Sequence, residues 1–420
     1  MKKTSLNQYK LNLQKELISL EKRFNVELEH KITRHKTINW VTNETKALTE
    51  YLALHSLGRN WFEKFSNKFF HKYSKKIWKK SIYQKIIKKI IVDLNYRFLP
   101  REFTQVKNES EFITVTLQEV QAFFDRIFPN AIKATLIDLM NITSTIIKSI
   151  RHALDTEPSF YLNEKKNHDQ LCLRSYKEIY NEVINHQYSL ILSTLIATKA
   201  NFIDSSTDDV NTFIFGFFEE INDWLDSDIA ALLRSKTYPY FEYQQFYKLI
   251  NEKPKTILYE LDNCGEAIFD LLLTEILIQK GHKVILCAKL NPILNDITKE
   301  RLESLLNTPL LKHLKQYLNQ TLFLVDNNSA SVGKNIFKVS QDYKAAFQKS
   351  DLIILKGQGN FLNMPMTSKQ GKKTIPIKYK KTVVYMFTVK SEIVEYALKQ
   401  TFPFNTPNKN ALILKVYENH

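Results

Sequence analysis

From about residue 255 the chain alternates short apolar runs with segments whose apolar positions recur every three or four residues. The short runs predict strands at 256–261, 283–288, 322–326, 351–355, 381–387 and 411–416. The periodic segments between them predict helices at about 265–280, 296–306, 309–318, 341–348 and 391–400. Strands that alternate with crossover helices make a mainly parallel sheet with helices on both faces. Before residue 255 the pattern is helical. Residues 5–30 read as an amphipathic helix with Leu11, Leu13, Leu17, Leu20 and Phe24 among polar positions. Two or three further helices follow over 44–94, and the spans 116–153, 175–198 and 207–235 continue the pattern. The fold class is therefore α+α/β: a helical N-terminal domain, then a Rossmann-like three-layer domain built on a mainly parallel sheet.

Glycine supports the same division. Gly58 and Gly216 are the only glycines before residue 260, whereas Gly265, Gly281, Gly333, Gly357, Gly359 and Gly371 follow it. Glycines cluster where strands turn into helices, because tight turns need backbone conformations that other residues avoid. Asn251-Glu252-Lys253-Pro254 is the expected junction, since Pro254 cannot continue a helix.

Composition narrows the function. A chain of 420 residues with 44% hydrophobic and 12% aromatic residues has enough apolar side chains for real cores. Three scattered cysteines (Cys172, Cys264, Cys287) give neither a disulfide framework nor a cysteine-rich zinc site. Lys10, Lys15 and Glu16 interrupt any signal-peptide core, and no stretch is apolar for long enough to be a transmembrane segment. A cytoplasmic protein is expected, although delivery by a dedicated secretion machine would leave no readable trace. The net charge of +16, concentrated before residue 110, favours anionic partners: nucleic acid, acidic membrane or phosphorylated small molecules. An AT-rich genome, which favours Lys and Asn codons, accounts for the charge equally well. In Lys75-Lys76-Ile77-Trp78-Lys79-Lys80, continuing into Ile86, Ile87, Ile90 and Ile91, lysines face one side and apolar residues the other. Such a helix either lies on an anionic surface or faces a core with its lysines solvated.

The chemistry collects at strand ends. The first predicted strand stops at Asp262-Asn263, with Gly265 and Glu266 opening a helix. Asp262 or Asn263 either caps that helix or offers oxygens to a cation. The second strand is followed by Asn295-Asp296-Ile297-Thr298, where Asp296 is expected to begin a helix with Thr298 in its first turn. The fourth is followed by Lys356-Gly357-Gln358-Gly359-Asn360-Phe361, a turn in which glycines admit a ligand to the backbone and Lys356 supplies charge for phosphate. Lys390 follows the fifth. In an open parallel sheet these ends share one crevice. Two carboxylates and an amide suit a hard divalent ion, and lysines nearby suit phosphate. No Gly-rich dinucleotide fingerprint, P-loop or Gly-x-Ser-x-Gly elbow is present, so no dinucleotide partner is expected.

Asp-Asn-x-Gly-Glu, then Leu-Asn-Asp-x-Thr, then Lys-Gly-Gln-Gly-Asn-Phe, in this order, resemble the damage-control phosphatases of domain of unknown function 89, some of which were named acidic-residue methyltransferases. Asn201-x-x-Asp204-x-Ser206 is similar to the cluster that precedes the catalytic domain there, and Lys390 matches the lysine of a late Arg-Thr-x-Lys motif. The resemblance covers about residues 190–395. It implies a metal-dependent phosphatase in which Asp262, Asn263 and Asp296 hold the metal, and Asn201, Asp204, Lys356 and Lys390 contact the phosphate or its sugar. Charge and glycine distribution divide the chain into basic helices over 1–110, a helical domain over 111–253 and an α/β domain over 254–420; the first 110 residues match no motif of the family, and the resemblance implies that the helical domain covers the catalytic site. Phe387 stands where one subgroup has Arg, Ala200 replaces a Gly, and a Pro-Cys-x-x-Cys motif is missing, which leaves subgroup and substrate open.

The reading is a phosphatase acting on a small phosphorylated metabolite, such as a sugar phosphate, with Mn²⁺, Ni²⁺, Co²⁺ or Mg²⁺ as cofactor. Asp262, Asp204 and Lys390 are the catalytic candidates, Asp204 as general base. Asn201, Glu266, Lys356, Gly357, Asn360 and Lys390 are the substrate-binding candidates, with Glu266 orienting rather than coordinating. Asp262 as covalent nucleophile is the alternative mechanism. The alternative function is an effector-type binding protein whose basic helices engage a membrane, nucleic acid or protein. A methyltransferase is disfavoured by the lack of a Gly-rich loop for an adenosyl cofactor.

Overall fold

A computed structural model describes residues 5–33, 84, 87–88, 90–92, 94–99, 103, 108–131, 136–154, 160–201, 210–227, 229, 231, 238–293, 295–328, 333–334, 339–370, 373–390, 392–399, 402 and 407–418. They fall in two compact units divided between Asn163 and Glu164. The Lys75–Lys80 stretch lies outside the described residues, as do Asp204 and Ser206.

The first unit is helical. Helix α1 (Leu6–Thr33) buries Tyr9, Leu13, Leu17, Leu20 and Phe24, spaced three or four apart as a core-facing stripe requires. It packs on α2 (Glu109–Ala131) and α3 (Leu136–Leu154), which lie in the span read as helical over 116–153. Tyr9 closes the core: its ring sits edge-on to Phe103 and its hydroxyl lies 2.6 Å from Thr116 Oγ1. Burial of the hydroxyl raises its pKa well above the usual tyrosine value.

The second unit carries the sheet. Helix α4 (Phe160–Ile184) leads into it, followed by α5 (Ser189–Ala200), α6 (Val210–Asp226) and α7 (Tyr243–Glu252). Then come β1 (Thr256–Glu260), α8 (Glu266–Gln279), β2 (Lys283–Ala288), α9 (Lys299–Leu305) and a 3₁₀ turn at Lys312–Tyr317. After these follow β3 (Leu322–Asp326), α10 (Gln341–Lys349), β4 (Leu352–Lys356), α11 (Gly357–Asn363), β5 (Thr367–Gln370), β6 (Lys373–Pro376), β7 (Thr382–Thr388), α12 (Glu392–Lys399) and β8 (Leu412–Tyr417). Composition puts a boundary at Pro254, but α5, α6 and α7 share one apolar core with the sheet.

Six strands form one sheet in the order β3-β2-β1-β4-β7-β8, parallel except for the antiparallel pair β7–β8. Strands β1, β2 and β4 are buried nearly end to end, which is why they read as continuous apolar runs rather than alternating ones. From β1 the chain builds outward through β2 to β3, then crosses back to lay β4 on the other flank of β1. Strand order therefore reverses at β1 and β4, and the crevice of such a sheet opens at the carboxyl ends of those two strands.

Local chemistry differs from expectation in three places. Asp296 does not begin the helix after β2. Thr298 is its N-cap, accepting from Arg301 N at 3.2 Å, and Asp296 stays in the extended segment before it. The Lys356–Phe361 turn is itself the start of α11. The hairpin β5–β6 was not anticipated, because its polar strands bury no recognisable apolar face. Among the described residues, no helix is long and apolar enough to cross a membrane.

Candidate active site

Register builds the site. Glu260 of β1 pairs with Leu355 of β4, so two residues further on Asp262 comes level with Gly357. The approach is close: a Cβ placed on Gly357 would lie 1.9 Å from Asp262 Oδ2. Gly357 also has φ +80°, a conformation that costs residues with a Cβ. Only glycine leaves room for the Asp262 carboxylate. Asn360, one turn along α11, ties the two strand ends together, its Nδ2 donating to Leu261 O at 3.2 Å and Lys356 O at 2.8 Å. Its Oδ1 is buried without a hydrogen-bond partner.

The segment after β2 lies against the same turn. Asn263 and Asp296 form an antiparallel bridge; Cys264 N donates to Asn295 O at 2.9 Å and Ile297 N to Asp262 O at 2.8 Å. Asp262, Asn263 and Asp296, far apart in sequence, thus meet on two adjacent backbone segments. Asp296 is buried; its Oδ2 is 3.4 Å from Lys289 Nζ and has no hydrogen-bond partner. Burial pushes the Asp296 carboxyl up to about 6, against the pull of Lys289, and the Asp262 charge adds to the rise. Lys289 also donates to Gly333 O.

Glu266 and Asn201 sit on the other side of Asp262. Asn201, fully buried at the end of α5, donates through Nδ2 to Asp262 Oδ2 at 3.0 Å and to Glu266 Oε2 at 3.0 Å. Its Oδ1 accepts from Thr388 N, at the end of β7, at 3.2 Å. Glu266 turns back to accept from Asn263 N at 2.8 Å, fixing the turn that presents Asp262 and Asn263. Burial pushes Glu266 up to about 8; Lys356 and Lys390 oppose the rise and Asp262 adds to it. Lys390, half-buried, is thus near enough for its charge to favour the Glu266 carboxylate.

Lys356 is fully buried, its Nζ bonded to Asp270 Oδ1 at 2.7 Å. Asp270 also accepts from Tyr259 Oη at 2.5 Å, and burial raises its pKa. Glu266 and Asp270 lie one turn apart on α8, a helix buried from Glu266 to Ile278, so the wholly buried helix carries acids that each need a partner. The structure thus gathers Asn201, Asp262, Asn263, Glu266, Asp296, Lys356, Gly357, Asn360 and Lys390 about the ends of β1, β2, β4 and β7. Asp204 lies outside the described residues.

Sequence reasoning passed over several supporting residues. Lys289 and Asp270 were unremarkable as a lysine after a strand and an acid in an apolar helix; the isolated charge among Phe269, Leu271, Leu272 and Leu273 was the available signal. Lys165, His168 and Asp169 of α4 fall outside the spans singled out in the sequence, yet all three are buried. No group of three His, Cys, Asp or Glu side chains gathers as a metal site among the described residues.

Comparison with known proteins returns one consistent family. The model described as the damage-control phosphatase ARMT1-like domain matches residues 79–401. The curated damage-control phosphatase PH1575 of Pyrococcus horikoshii is 30% identical over 171 residues, 40% of this chain and 51% of that protein. The uncharacterized protein MJ0202 of Methanocaldococcus jannaschii is 31% identical over 136 residues, 31% of this chain and 40% of its own. The chain thus spans about half the length of the curated relatives it matches. The crystal structure of a DUF89 family protein, PH1575 of P. horikoshii, aligns with a TM-score of 0.57 at 18% identity, covering 79% of this chain and 98% of that one. At that identity the likeness bears on the fold alone.

Proposed function

The chain belongs to the damage-control phosphatase ARMT1-like family, and we propose that it is a divalent-metal-dependent phosphatase hydrolysing a small phosphorylated metabolite, such as a sugar phosphate. The observation that carries this reading is the meeting of Asp262, Asn263 and Asp296 at the switch point of the sheet, with Gly357 leaving space at the Asp262 carboxylate. These residues fit a hard divalent ion, Mn²⁺, Ni²⁺, Co²⁺ or Mg²⁺. They offer carboxylate and amide oxygens, and Asp296 Oδ2 is buried with no hydrogen bond and only the Lys289 ammonium, at 3.4 Å, beside it. When bound, such an ion supplies Lewis-acid polarisation of a phosphoryl oxygen and acidifies water.

The protein's own groups do the rest. Asn201 donates to Asp262 and Glu266 together, which keeps the Asp262 carboxylate turned to the site. Glu266 holds the turn through Asn263 N and orients ligand rather than coordinating metal. Lys390 neutralises charge that spreads over the phosphoryl oxygens, and Lys356 adds positive potential from its buried pair with Asp270. Asn360 Oδ1 is an acceptor for a substrate hydroxyl. Asp204 is the proposed general base, positioning water for attack.

The test is a screen of phosphorylated metabolites with each of the four ions, reading phosphate release, with Asp262→Ala as control. Release that depends on the added ion and falls at least a hundredfold in Asp262→Ala is expected. An alanine variant that turns over every substrate as fast as the parent overturns the assignment.

A further inference from the structure

Asp262 and Asn263 stand on one loop segment and Asp296 on another. A short antiparallel bridge joins them, and loops of this kind stay put only when something rigid supports them. One face of α4 does so. Lys165, His168 and Asp169 stand at spacing i, i+3 and i+4, so their side chains share a face of the helix. They are only 4%, 2% and 3% exposed, although polar residues of these types seldom go inside unpaired.

Each side chain goes to one of the two segments. Lys165 Nζ donates to Asp296 O at 2.7 Å, fixing the backbone of that acid rather than its carboxylate. His168 Nδ1 lies 3.1 Å from Asn295 Nδ2, one residue earlier. Asp169 Oδ1 accepts from Gly265 N at 2.7 Å, in the turn after β1. Asp169 Oδ2 is held by Arg301 Nε at 2.6 Å, from the first turn of α9. The helix also lies directly against Gly265, whose φ is +80°; a Cβ there would come within 3.0 Å of His168 Cβ and 3.3 Å of Cys172 Sγ. One helical stripe therefore contacts both segments, and Arg301 ties the helix beyond to the same point.

We infer that α4 is a clamp that keeps the two donor segments in register, with Lys165, His168 and Asp169 as positioning residues. The inference deepens the metal-phosphatase reading, on which its consequence for metal affinity rests. None of the three side chains touches the ion or the substrate. Lys165 and Asp169 act through backbone atoms of Asp296 and Gly265, and His168 through the Asn295 side chain, so their removal should loosen the donor geometry and leave donor chemistry intact. Groups that orient metal ligands in this way commonly change affinity by about 10–100-fold.

The experiment has two readouts on the full chain. Hydrogen exchange of the metal-free protein reads the clamp itself, and Mn²⁺ titration reads its consequence. Lys165→Met keeps the stem and removes the donor; Asp169→Leu removes the acceptor; Asp169→Asn keeps an acceptor for Gly265 and serves as the conservative partner. Lys283→Met, at the exposed amino end of β2, is the control. Lys165→Met should speed exchange at Asp296 and Ile297, and Asp169→Leu at Cys264 and Gly265, by about tenfold or more. The amides of β1 should be unmoved. Asp169→Asn, which keeps one acceptor but loses the charge that holds Arg301, should fall between the parent and Asp169→Leu. Mn²⁺ affinity should fall about tenfold in Lys165→Met and Asp169→Leu, with kcat reduced and KM unchanged within twofold. Should Asp169→Leu not fold, Lys165→Met alone decides. Unchanged loop exchange in Lys165→Met overturns the clamp. Faster loop exchange in a protein whose parent binds none of Mn²⁺, Ni²⁺, Co²⁺ and Mg²⁺ upholds the clamp and overturns the metal-phosphatase reading instead.

Discussion

Gly357→Ala is the sharpest perturbation the structure offers, because the added atom has nowhere to go. The new Cβ would sit 1.9 Å from Asp262 Oδ2 and 2.2 Å from its Cγ, well inside contact distance. Two costs add. Holding alanine at φ +80° costs about 1–2 kcal/mol. Forcing a methyl group into packed surroundings costs about 1–3 kcal/mol more. The sum, about 2–5 kcal/mol, should appear as a lower urea midpoint with little change in slope. The catalytic cost should be larger, because the atom displaced is a proposed metal ligand. Displacement of a reacting group by about 1 Å can cost about a hundredfold in rate, so kcat for the substrate found by the metabolite screen should fall at least that far. Gly216→Ala is the internal comparison: Gly216 lies in α6 with nothing within 4 Å of its added Cβ, and the substitution should be neutral or stabilising by about 0.5–1 kcal/mol. A Gly357→Ala protein within 0.5 kcal/mol of the parent, with undiminished phosphate release, would refute the placement of Asp262 against β4.

Two further outcomes follow from buried charge. Glu266 at about 8 and Asp296 at about 6 keep protons in the folded state that the unfolded chain loses near pH 4. The folded state then binds more protons than the unfolded one, so metal-free stability should fall as pH rises from about 4 to 8, by a few kcal/mol. Glu266→Gln should flatten most of that slope, as read by urea midpoints across the range; an equal slope in both proteins contradicts the burial argument. Lys334→Met leaves Glu260 a buried acid without its counter-charge and with the Tyr343 hydroxyl as its remaining hydrogen-bond partner, since Lys334 Nζ is 2.6 Å from Glu260 Oε2 with both side chains essentially unexposed. A loss of about 3–5 kcal/mol is expected by urea denaturation, and a change under 1 kcal/mol speaks against the pair.

Much of the sheet was legible because parallel strands buried on both faces leave unbroken apolar runs, as in Thr256–Glu260 and Lys283–Ala288. The site candidates were legible for a topological reason: strand ends in a parallel sheet converge, so Asp262, Asp296, Gly357 and Lys390 needed only strand boundaries to be brought near one another. Register then put Gly357 against Asp262, which no local pattern foretells. Partnerships made across the fold were not legible. Nothing local marks Lys165 and Asp169, because the loops that bury them are more than ninety residues away in the chain. The pair of Lys334 with Glu260 and the hydroxyl of Tyr343 was hidden for the same reason. Thr298 rather than Asp296 caps α9 because Asp296 is occupied in the bridge to Asn263.

The central claim is that Asp262, Asn263 and Asp296 grip one divalent cation. Anomalous diffraction from crystals soaked in Mn²⁺ tests it most directly. The account predicts a single strong peak with an Asp262 oxygen and an Asp296 oxygen each about 2.0–2.3 Å away, lost in the Asp262→Ala crystal. A peak bound by other residues, or one that survives in the variant, contradicts it.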